Sequence, residues 1–527
     1  MFIDDHHYDC IVVGSGAAGA TLASELTKQG KWVLLLERGG QLPLEEQNIQ
    51  GVDLFKKTKY HPPNEKWFGP DGDPFSPQTA YALGGNTKIW GAVLQRMRER
   101  EFGEVRLQEG ISPSWPFEYD EIEPYYELAE NLFQVHGKSG IDLTDPPRKN
   151  KYRYKPREPE RFLERLREDL LRNNCHPYEL PISWSDTVDR KEEEEDYPSC
   201  SFFTRGDAQL FGLYSSKREQ LELKTNAKVI RLHVNPTGRA VKGVEVDIAG
   251  DLWLFSGDIV VLAAGAINTP IILLNSKTIK HPNGLANNSG LVGRNLMNLQ
   301  MTCILQRARE DNSGSFKKSY GINDYYWGDK NVNYPLGHIQ SGGGVLQDAL
   351  FAESPPVLSL ISKLIPEFGI KRLASRSISW WAMTEVLPEP ENRVFLLGNK
   401  VRINYLHNNL EAHDRLVYRW LDTLKSVESD VKTTVVTQTP THPRGLAPLS
   451  VVGYSCGTCK MGDDPLTSVV DRNCKCHELD NLFIADASIF PSSSSIGNGL
   501  TIIALALRLA ERLTSDKIQR PLICRGG

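Results

Sequence analysis

At 527 residues the chain is too long for a single hydrophobic core, so two domains, or one domain with a large insertion, are expected. The formal net charge of -5 is spread over interspersed signs, which leaves no electrostatic footprint for nucleic acid. No run of 18 apolar residues occurs, so no membrane-spanning helix is expected, and the segment Met1 to Asp9 lacks the basic region and apolar core of a secretory signal, which makes the cytoplasm the expected location.

The first element is an apolar strand, Cys10 to Val13, running into Gly14-Ser-Gly16-Ala-Ala-Gly19 and a helical pattern carried by Ala20, Leu22, Ala23 and Leu26. A second apolar strand, Trp32 to Leu36, ends in Glu37, 18 residues beyond Gly19. Each part has a physical task. The first two glycines permit a tight turn and close approach of backbone to a pyrophosphate, the third lets helix and strand pack, and the helix N-terminus offers N–H groups to the phosphates. Glu37 stands where a carboxylate accepts hydrogen bonds from a ribose diol. Strand, glycines, helix, strand and acid together predict dinucleotide binding.

Further along stand Ala82-Leu-Gly84-Gly85-Asn86-Thr87-Lys-Ile89-Trp90-Gly91, the charge run Lys191 to Asp196, and Thr225-Asn226-Ala-Lys-Val229. The run reads as a solvated loop. A strand at Ile259 to Ala263 leads into Ala264-Gly265-Ala-Ile-Asn268-Thr269-Pro270, followed by Leu291-Val-Gly-Arg-Asn295. Between about 300 and 450 the texture changes to alternating patterns such as Ile378 to Met383 and Val394 to Leu397, which fit an antiparallel sheet. Within it Pro355 to Ile365 is a short amphipathic stretch, read as core packing or a lid. Trp380 and Trp381 alternate, so one is expected in the core and the other at a cavity.

The C-terminal part holds Tyr454-Ser-Cys456-Gly457-Thr458-Cys459-Lys-Met-Gly462, a strand at Leu482 to Ala485, then Asp486 and a serine-rich stretch ending Gly497-Asn498-Gly-Leu-Thr501. The last helix, Leu500 to Leu513, is apolar on nearly every face until Arg508 and is expected to be buried. Nine cysteines, an odd number, read as free thiols. Cys456 and Cys459 with Cys474 and Cys476 have the count for zinc. The first pair lies in the glycine-rich motif, however, and the second alternates along an expected strand, so no metal is assigned.

The N-terminal glycine unit and the five separated motifs after it, in this order, resemble the glucose-methanol-choline (GMC) oxidoreductases, FAD enzymes that mostly oxidise alcohols, sugars and related compounds. The resemblance implies an α/β fold: a doubly wound, Rossmann-like FAD-binding domain plus a substrate domain whose antiparallel sheet covers the flavin. The implied boundaries are 1–300 for the first part of the FAD domain, with insertions around 45–80 and 100–220, then 301–450 for the substrate domain and 451–527 for the C-terminal part of the FAD domain. It also implies that Gly84, Gly85, Asn86 and Thr87 run along the flavin, that the Val229 backbone meets adenine, that Gly265 closes the central strand, and that Asp486 lies near the ribityl and pyrophosphate groups. Some relatives attach FAD through a histidine six positions into the second glycine loop. Ile89 stands there, so FAD is expected to bind without a covalent link.

The resemblance breaks at the reacting centre. The family's histidine base precedes the Gly-Thr pair by three residues, and that position is Tyr454. Counting back from Leu500-Thr501 puts the partner position on Gly497, with Asn498 in the usual proline place; a one-residue gap would return Asn498 to the partner position. Tyrosine, with a reference pKa of about 10, is a poor base at neutral pH but donates a hydrogen bond to a developing alkoxide. Among His338, His407, His413 and His442, His338 alternates with Gln340 on an expected strand, so both are candidates to face the flavin, whereas His413 reads as part of a surface helix. The expected activity is transfer of a hydride from an alcohol, a sugar-like compound or a secondary-metabolite intermediate to flavin N5, with Tyr454, Asn498, His338 and Gln340 as catalytic candidates. The electron acceptor is O2 or another carrier. The alternatives are a non-oxidative flavin enzyme (lyase, isomerase, cyclase or light-driven) and a catalytically silent flavin-binding subunit.

Overall fold

The computed structural model describes residues 1–41, 65–75, 79–159, 161–184, 208, 213, 218–308, 311, 319–344, 368, 369, 372, 375–434, 437–447, 449 and 452–515. The charge run at 191–196 and the stretch 355–365 lie outside these residues. In chain order the main elements are β1 (Phe2–Val13), α1 (Ala17–Lys28), β2 (Val33–Leu36), α2 (Tyr119–Leu132), α3 (Arg161–Arg172), β3 (Leu221–Lys224), β4 (Ala227–Val234), β5 (Val241–Ile248), β6 (Asp251–Leu262) and α4 (Gly265–Asn275). There follow β7 (Gln300–Ala308), β8 (Tyr320–Ile322), β9 (His338–Gly344), β10 (Ser377–Thr384), α5 (Leu410–Ser429), β11 (Thr437–Leu446), β12 (Leu482–Ile484) and α6 (Gly499–Thr514).

Ile11 to Val13 and Val33 to Leu36 are buried, as continuous apolar runs in a sheet covered on both faces must be. They form the centre of a seven-stranded sheet ordered β3-β2-β1-β6-β5-β4, with β12 also on β6. The pairs β1–β2, β1–β6, β2–β3 and β6–β12 are parallel, and β4–β5–β6 form an antiparallel flap. Val260 to Leu262 pair in register with Leu482 to Ile484, so the chain returns to its first sheet across some 220 residues. Helix α6 packs against α1 and α2 and is buried from Leu500 to Ala510 on almost every face. Arg508 is buried as well, because its guanidinium meets Glu121 and the carbonyl of Arg472.

The second layer is a six-stranded sheet ordered β11-β7-β10-β9-β8, completed by Tyr178–Glu179, and all its pairings are antiparallel. Its two faces differ. Trp380 is fully buried against α5, 4.7 Å from the Trp420 ring centroid in an edge-on contact, whereas Trp381 is partly buried on the opposite face with Leu299, Met301 and Met383. Trp380 thus lies in the core as the alternation predicts, whereas Trp381, expected at a cavity, packs on this apolar group and is not among the described residues lining the cavity below.

Three local expectations need correction. Val394 to Leu397 does not join this sheet: Arg393–Leu397 pairs with Lys400–Asn404 in a small sheet shared with Trp67–Phe68 and Pro74–Phe75, because a tight turn at Gly398 closes a local hairpin. His413 is buried in α5, where its ring nitrogens lie 2.8 Å from Thr302 Oγ1 and 2.9 Å from Thr384 Oγ1. Cys474 sits in a turn with φ of 66° rather than on a strand, and Cys456, Cys459, Cys474 and Cys476 are buried free thiols.

Candidate functional site

A cavity of about 770 Å³ opens at the carboxyl ends of β1, β2 and β6, where Val13 to Ala18, Leu36 to Arg38 and Ala263 to Gly265 line it. Ligands collect at this edge of a doubly wound sheet. Helix α4 lends one face, through Asn268, Ile271, Ile272 and Asn275, at the i, i+3, i+4, i+7 spacing of a helical stripe.

The glycines divide into two kinds. At Gly14, with φ of 102°, an added Cβ would lie 2.4 Å from the Ala263 carbonyl oxygen, and at Gly19 it would lie 1.8 Å from that of Gly14, so these two let the loop, helix and central strand touch. At Gly16 and Gly265 nothing stands within 4 Å of such a Cβ, and both residues line the cavity. Helix α1 has no side-chain cap and no acidic residue in its first turn, so its free N–H groups and positive dipole end face the bare glycine backbone. This cradle fits a diphosphate.

Glu37 does more than the ribose role implies. Its Oε2 accepts hydrogen bonds from Ser15 N (3.0 Å) and Ser15 Oγ (2.6 Å), and its Oε1 accepts one from Gly39 N (2.8 Å). Ser15 Oγ accepts in turn from Gly84 N at 3.0 Å, which ties the first glycine loop to the second. Burial pushes the Glu37 carboxyl up, against the pull of these donors. Oε1 keeps the capacity to accept a second bond. Gly85 approaches Gly16 so closely that a Cβ would meet its Cα at 3.2 Å. Thr87 Oγ1 donates to the Gly84 carbonyl and accepts from Ala208 N, and Asn86 Oδ1 accepts from Ala80 N. Asp486 accepts from Gly265 N (2.9 Å), Thr269 Oγ1 (2.5 Å) and Ser488 N (2.8 Å), fixing the start of α4 to the C-terminal loop. Val229 lines the far end of the cavity.

Sequence reasoning missed a cluster at the cavity wall. The Arg38 guanidinium sits 3.6 Å above the Tyr81 ring and bonds Glu65 and Asn268. Arg38 follows Glu37 directly and was open to notice; its partners come from 27 and 230 residues away, and no local pattern marks them.

At the other end Tyr454, Gly497 and Asn498 all line the cavity. The Tyr454 ring packs against the group formed by Leu299, Met301, Met383 and Val452, and among the described residues its hydroxyl has no hydrogen-bond partner. Burial alone pushes its pKa above the ordinary tyrosine value, so the group remains a neutral O–H donor. The Asn498 side chain makes no capping bond to α6.

His338 and Gln340 do not line this cavity. By register they share a face of the roof sheet with Met383 and Trp381. His338 is fully buried, with Nδ1 2.8 Å from Asn323 Oδ1 and Nε2 3.4 Å from Gln95 Nε2, so both ring nitrogens are occupied by protein neighbours. Gln340 is buried, and its Nε2 has no hydrogen-bond partner among the described residues. Burial lowers the pKa of His407. The backbone of His442 pairs with Leu305 in β11, and its side chain is outside the described set. No group of three or more histidine, cysteine or acidic side chains suited to a metal occurs among the described residues.

A cleft at the carboxyl edge of a doubly wound sheet, with a bare helix N-terminus facing its glycine loop, has the construction of a dinucleotide-cofactor site. Family comparison makes this specific. The GMC oxidoreductase models match residues 195–300 and 402–506, and a NAD(P)-binding Rossmann-like domain matches 12–44. The chain belongs to the GMC oxidoreductase family and is an FAD-dependent enzyme acting on a small molecule.

Relatives match over nearly the whole length. The chain is 26% identical to the fructose dehydrogenase large subunit of Gluconobacter japonicus, covering 96% of this chain and 98% of that one. It is 25% identical to paromamine 6'-oxidase of Streptomyces fradiae, covering 98% and 93%, and 24% identical to 2-methyl-1,2-propanediol dehydrogenase of Mycolicibacterium austroafricanum, covering 96% and 95%. Among solved structures, pyridoxine 4-oxidase from Mesorbium loti superposes with a TM-score of 0.66 at 18% identity, covering 96% and 99%. A formate oxidase of Aspergillus oryzae gives 0.68 at 16%, covering 97% and 98%. These structural likenesses concern the fold. No helix among the described residues is long and apolar enough to cross a membrane.

Proposed function

We propose that this enzyme oxidises a CH–OH group of a specialised alcohol, a sugar-like compound or a secondary-metabolite intermediate, with Tyr454 and Asn498 holding the reacting oxygen. The relatives' named substrates, a sugar, an aminoglycoside intermediate and a diol, support that range. The observation that supports the reading is Tyr454: the residue lines the cavity, its hydroxyl has no hydrogen-bond partner among the described residues, and burial keeps it protonated.

Bound FAD would supply the two-electron acceptor for a hydride from the carbinol carbon. The α1 N-terminus with Gly14, Gly16 and Gly19 would hold its diphosphate. Glu37 would meet a ribose, Val229 adenine, Gly84 to Thr87 the flavin side, and Gly265 with Asp486 the stretch between. Among the described lining residues there is no histidine, and a protonated tyrosine cannot take a proton, so Tyr454 would donate a hydrogen bond to the developing alkoxide while the substrate hydroxyl proton leaves to water. Positioned proton help is worth roughly 100- to 10,000-fold, and a donor without a strong base gives turnover at the slow end of the family's range. Ile89, a hydrocarbon side chain at the attachment position, supports a non-covalent cofactor. The acceptor of the electrons is O2 or another carrier; the named relatives include both oxidases and dehydrogenases.

The test is anaerobic titration of the purified holoenzyme with a panel of alcohols, sugars, aminoglycoside intermediates and amines while the oxidised-flavin band is followed. Bleaching by a hydroxyl compound is the expected result. A band that persists with every donor overturns the reading and favours the non-oxidative or silent alternatives.

A further inference from the structure

The segment that leaves the second glycine loop meets the roof sheet at a buried polar joint. Gln95, Arg98, Tyr178, Asn323 and His338 are each no more than 4% exposed. The joint is anchored by an ion pair, with Arg98 Nη2 2.6 Å from Asp142 Oδ2.

The anchor decides how two amides and one imidazole are turned. A carboxylate only accepts, so the Asn323 atom 2.9 Å from both Asp142 oxygens is the amide nitrogen, and Asn323 Oδ1 faces His338. An arginine only donates, so Gln95 Oε1 is the atom that faces Arg98 Nη2 (3.3 Å) and the Tyr178 hydroxyl (3.1 Å), and Gln95 Nε2 faces His338. His338 thus meets an acceptor at Nδ1 (2.8 Å) and a donor at Nε2 (3.4 Å). The neutral Nδ1–H tautomer satisfies both. A ring held in this way offers no nitrogen to a substrate, which removes His338 from the candidates for a base.

The joint ties together the two walls that carry the reacting centre. On the roof side His338 pairs by register with Met383, and Met383 belongs to the apolar group on which Tyr454 packs. On the other side Gln95 ends the segment Trp90 to Gln95, of which Ala92 and Val93 line the cavity. Trp90 and Leu94 press on Gly499, the neighbour of Asn498: a Cβ there would stand 2.9 Å from Trp90 Cζ3 and 3.2 Å from Leu94 Cδ2.

We propose that His338 is a positioning residue for the hydride-transfer site, its single neutral tautomer fastening the roof strand β9 to the Trp90–Gln95 segment and so fixing Tyr454 relative to Asn498. The inference rests on the reading of Tyr454 and Asn498 given above.

The experiment uses the FAD-loaded enzyme and two variants. His338→Gln keeps a donor and an acceptor at the joint, and its anaerobic flavin-reduction rate stays within about threefold of wild type. His338→Leu keeps the bulk but neither bond, and reduction slows roughly tenfold to a hundredfold with KM and FAD content little changed. Placed on Tyr454→Phe, the leucine change costs less than about threefold, because the donor it misplaces is already gone. A glutamine protein as slow as the leucine one, or a leucine change equally costly with and without the Tyr454 hydroxyl, overturns the proposal. Two further readouts need no substrate. In nitrogen-15 spectra of histidine-labelled protein, the imidazole signal that His338→Gln removes shows the Nδ1–H pattern; an Nε2–H or imidazolium pattern overturns the proposal even where the leucine protein does not fold. The visible circular dichroism of bound flavin shifts in the leucine protein and not in the glutamine protein, and no shift in the leucine protein counts against the joint. A wild type that oxidises no hydroxyl compound, or a Tyr454→Phe protein as fast as wild type, counts against the proposed reaction alone, and these two readouts then decide the joint.

Discussion

The ring of Tyr454 occupies the space that Gly497 leaves empty: a Cβ on Gly497 would stand 3.1 Å from Tyr454 Cε1 and 3.7 Å from its Oη. The absence of a side chain at Gly497 thus leaves room for the tyrosine ring. Gly497→Ala must press the tyrosine aside by a few tenths of an ångström. The expected outcome is a fall in kcat of about threefold to tenfold with FAD content unchanged, read by steady-state kinetics and flavin absorbance. A variant with unaltered kcat would show that the ring's position does not matter.

Gly16 and Gly19 should separate cofactor binding from folding. A methyl at Gly19 would collide with the Gly14 backbone at 1.8 Å, whereas at Gly16 it meets no protein atom and projects beside the cavity. Gly19→Ala is expected to yield little folded protein. Gly16→Ala is expected to fold with an apo-protein melting temperature close to wild type but to bind FAD at least about tenfold more weakly. Fluorescence titration of the apo-proteins with FAD checks both.

Asp486 joins α4, Thr269 and the Ser488 turn through three hydrogen bonds to one buried carboxylate. Asp486→Ala leaves three donors unsatisfied, each costing about 1 kcal/mol or more. The protein is expected to melt several degrees lower and to purify largely free of flavin, with Asp486→Asn intermediate. Full flavin occupancy in the alanine variant would contradict the assigned role.

Acid stability should depend on His413. Burial and the nearby His407 push its pKa down to about 4, against about 6.5 in an unfolded chain. A depressed folded pKa means that its stabilising contribution, about 3 kcal/mol, is intact above pH 6.5 and is lost as pH falls towards 4. In His413→Gln the drop in melting temperature across that window is expected to be smaller than in wild type. An equal drop in both proteins counts against the buried, neutral histidine.

What was legible in the sequence followed from local physics. Gly14 to Glu37 announce a dinucleotide site because strand, turn, helix and acid fall within one short stretch, and the alternation of Trp380 and Trp381 assigns them to opposite faces. Sequence reading failed where distance or a competing partner decides. Val394 to Leu397 alternates like a roof strand, yet the turn at Gly398 pairs it with its own neighbour. His413 looked like a surface residue between Glu411 and Asp414, but helix α5 turns it towards two threonine hydroxyls on β7 and β10. The partnership of Ser15 with Gly84, and of Glu101 with Ser495, joins segments with no shared pattern.

The central claim is that the Tyr454 hydroxyl holds the reacting oxygen, and the direct measurement is the single-turnover rate of anaerobic flavin reduction in wild type and Tyr454→Phe, using a hydroxyl substrate that bleaches the wild type. Phenylalanine keeps the ring that fills the space beside Gly497 and removes only the donor. The account predicts a reduction rate at least about tenfold slower in the phenylalanine variant, with FAD content and melting temperature unchanged. Equal rates in the two proteins would contradict it and leave Tyr454 a packing residue.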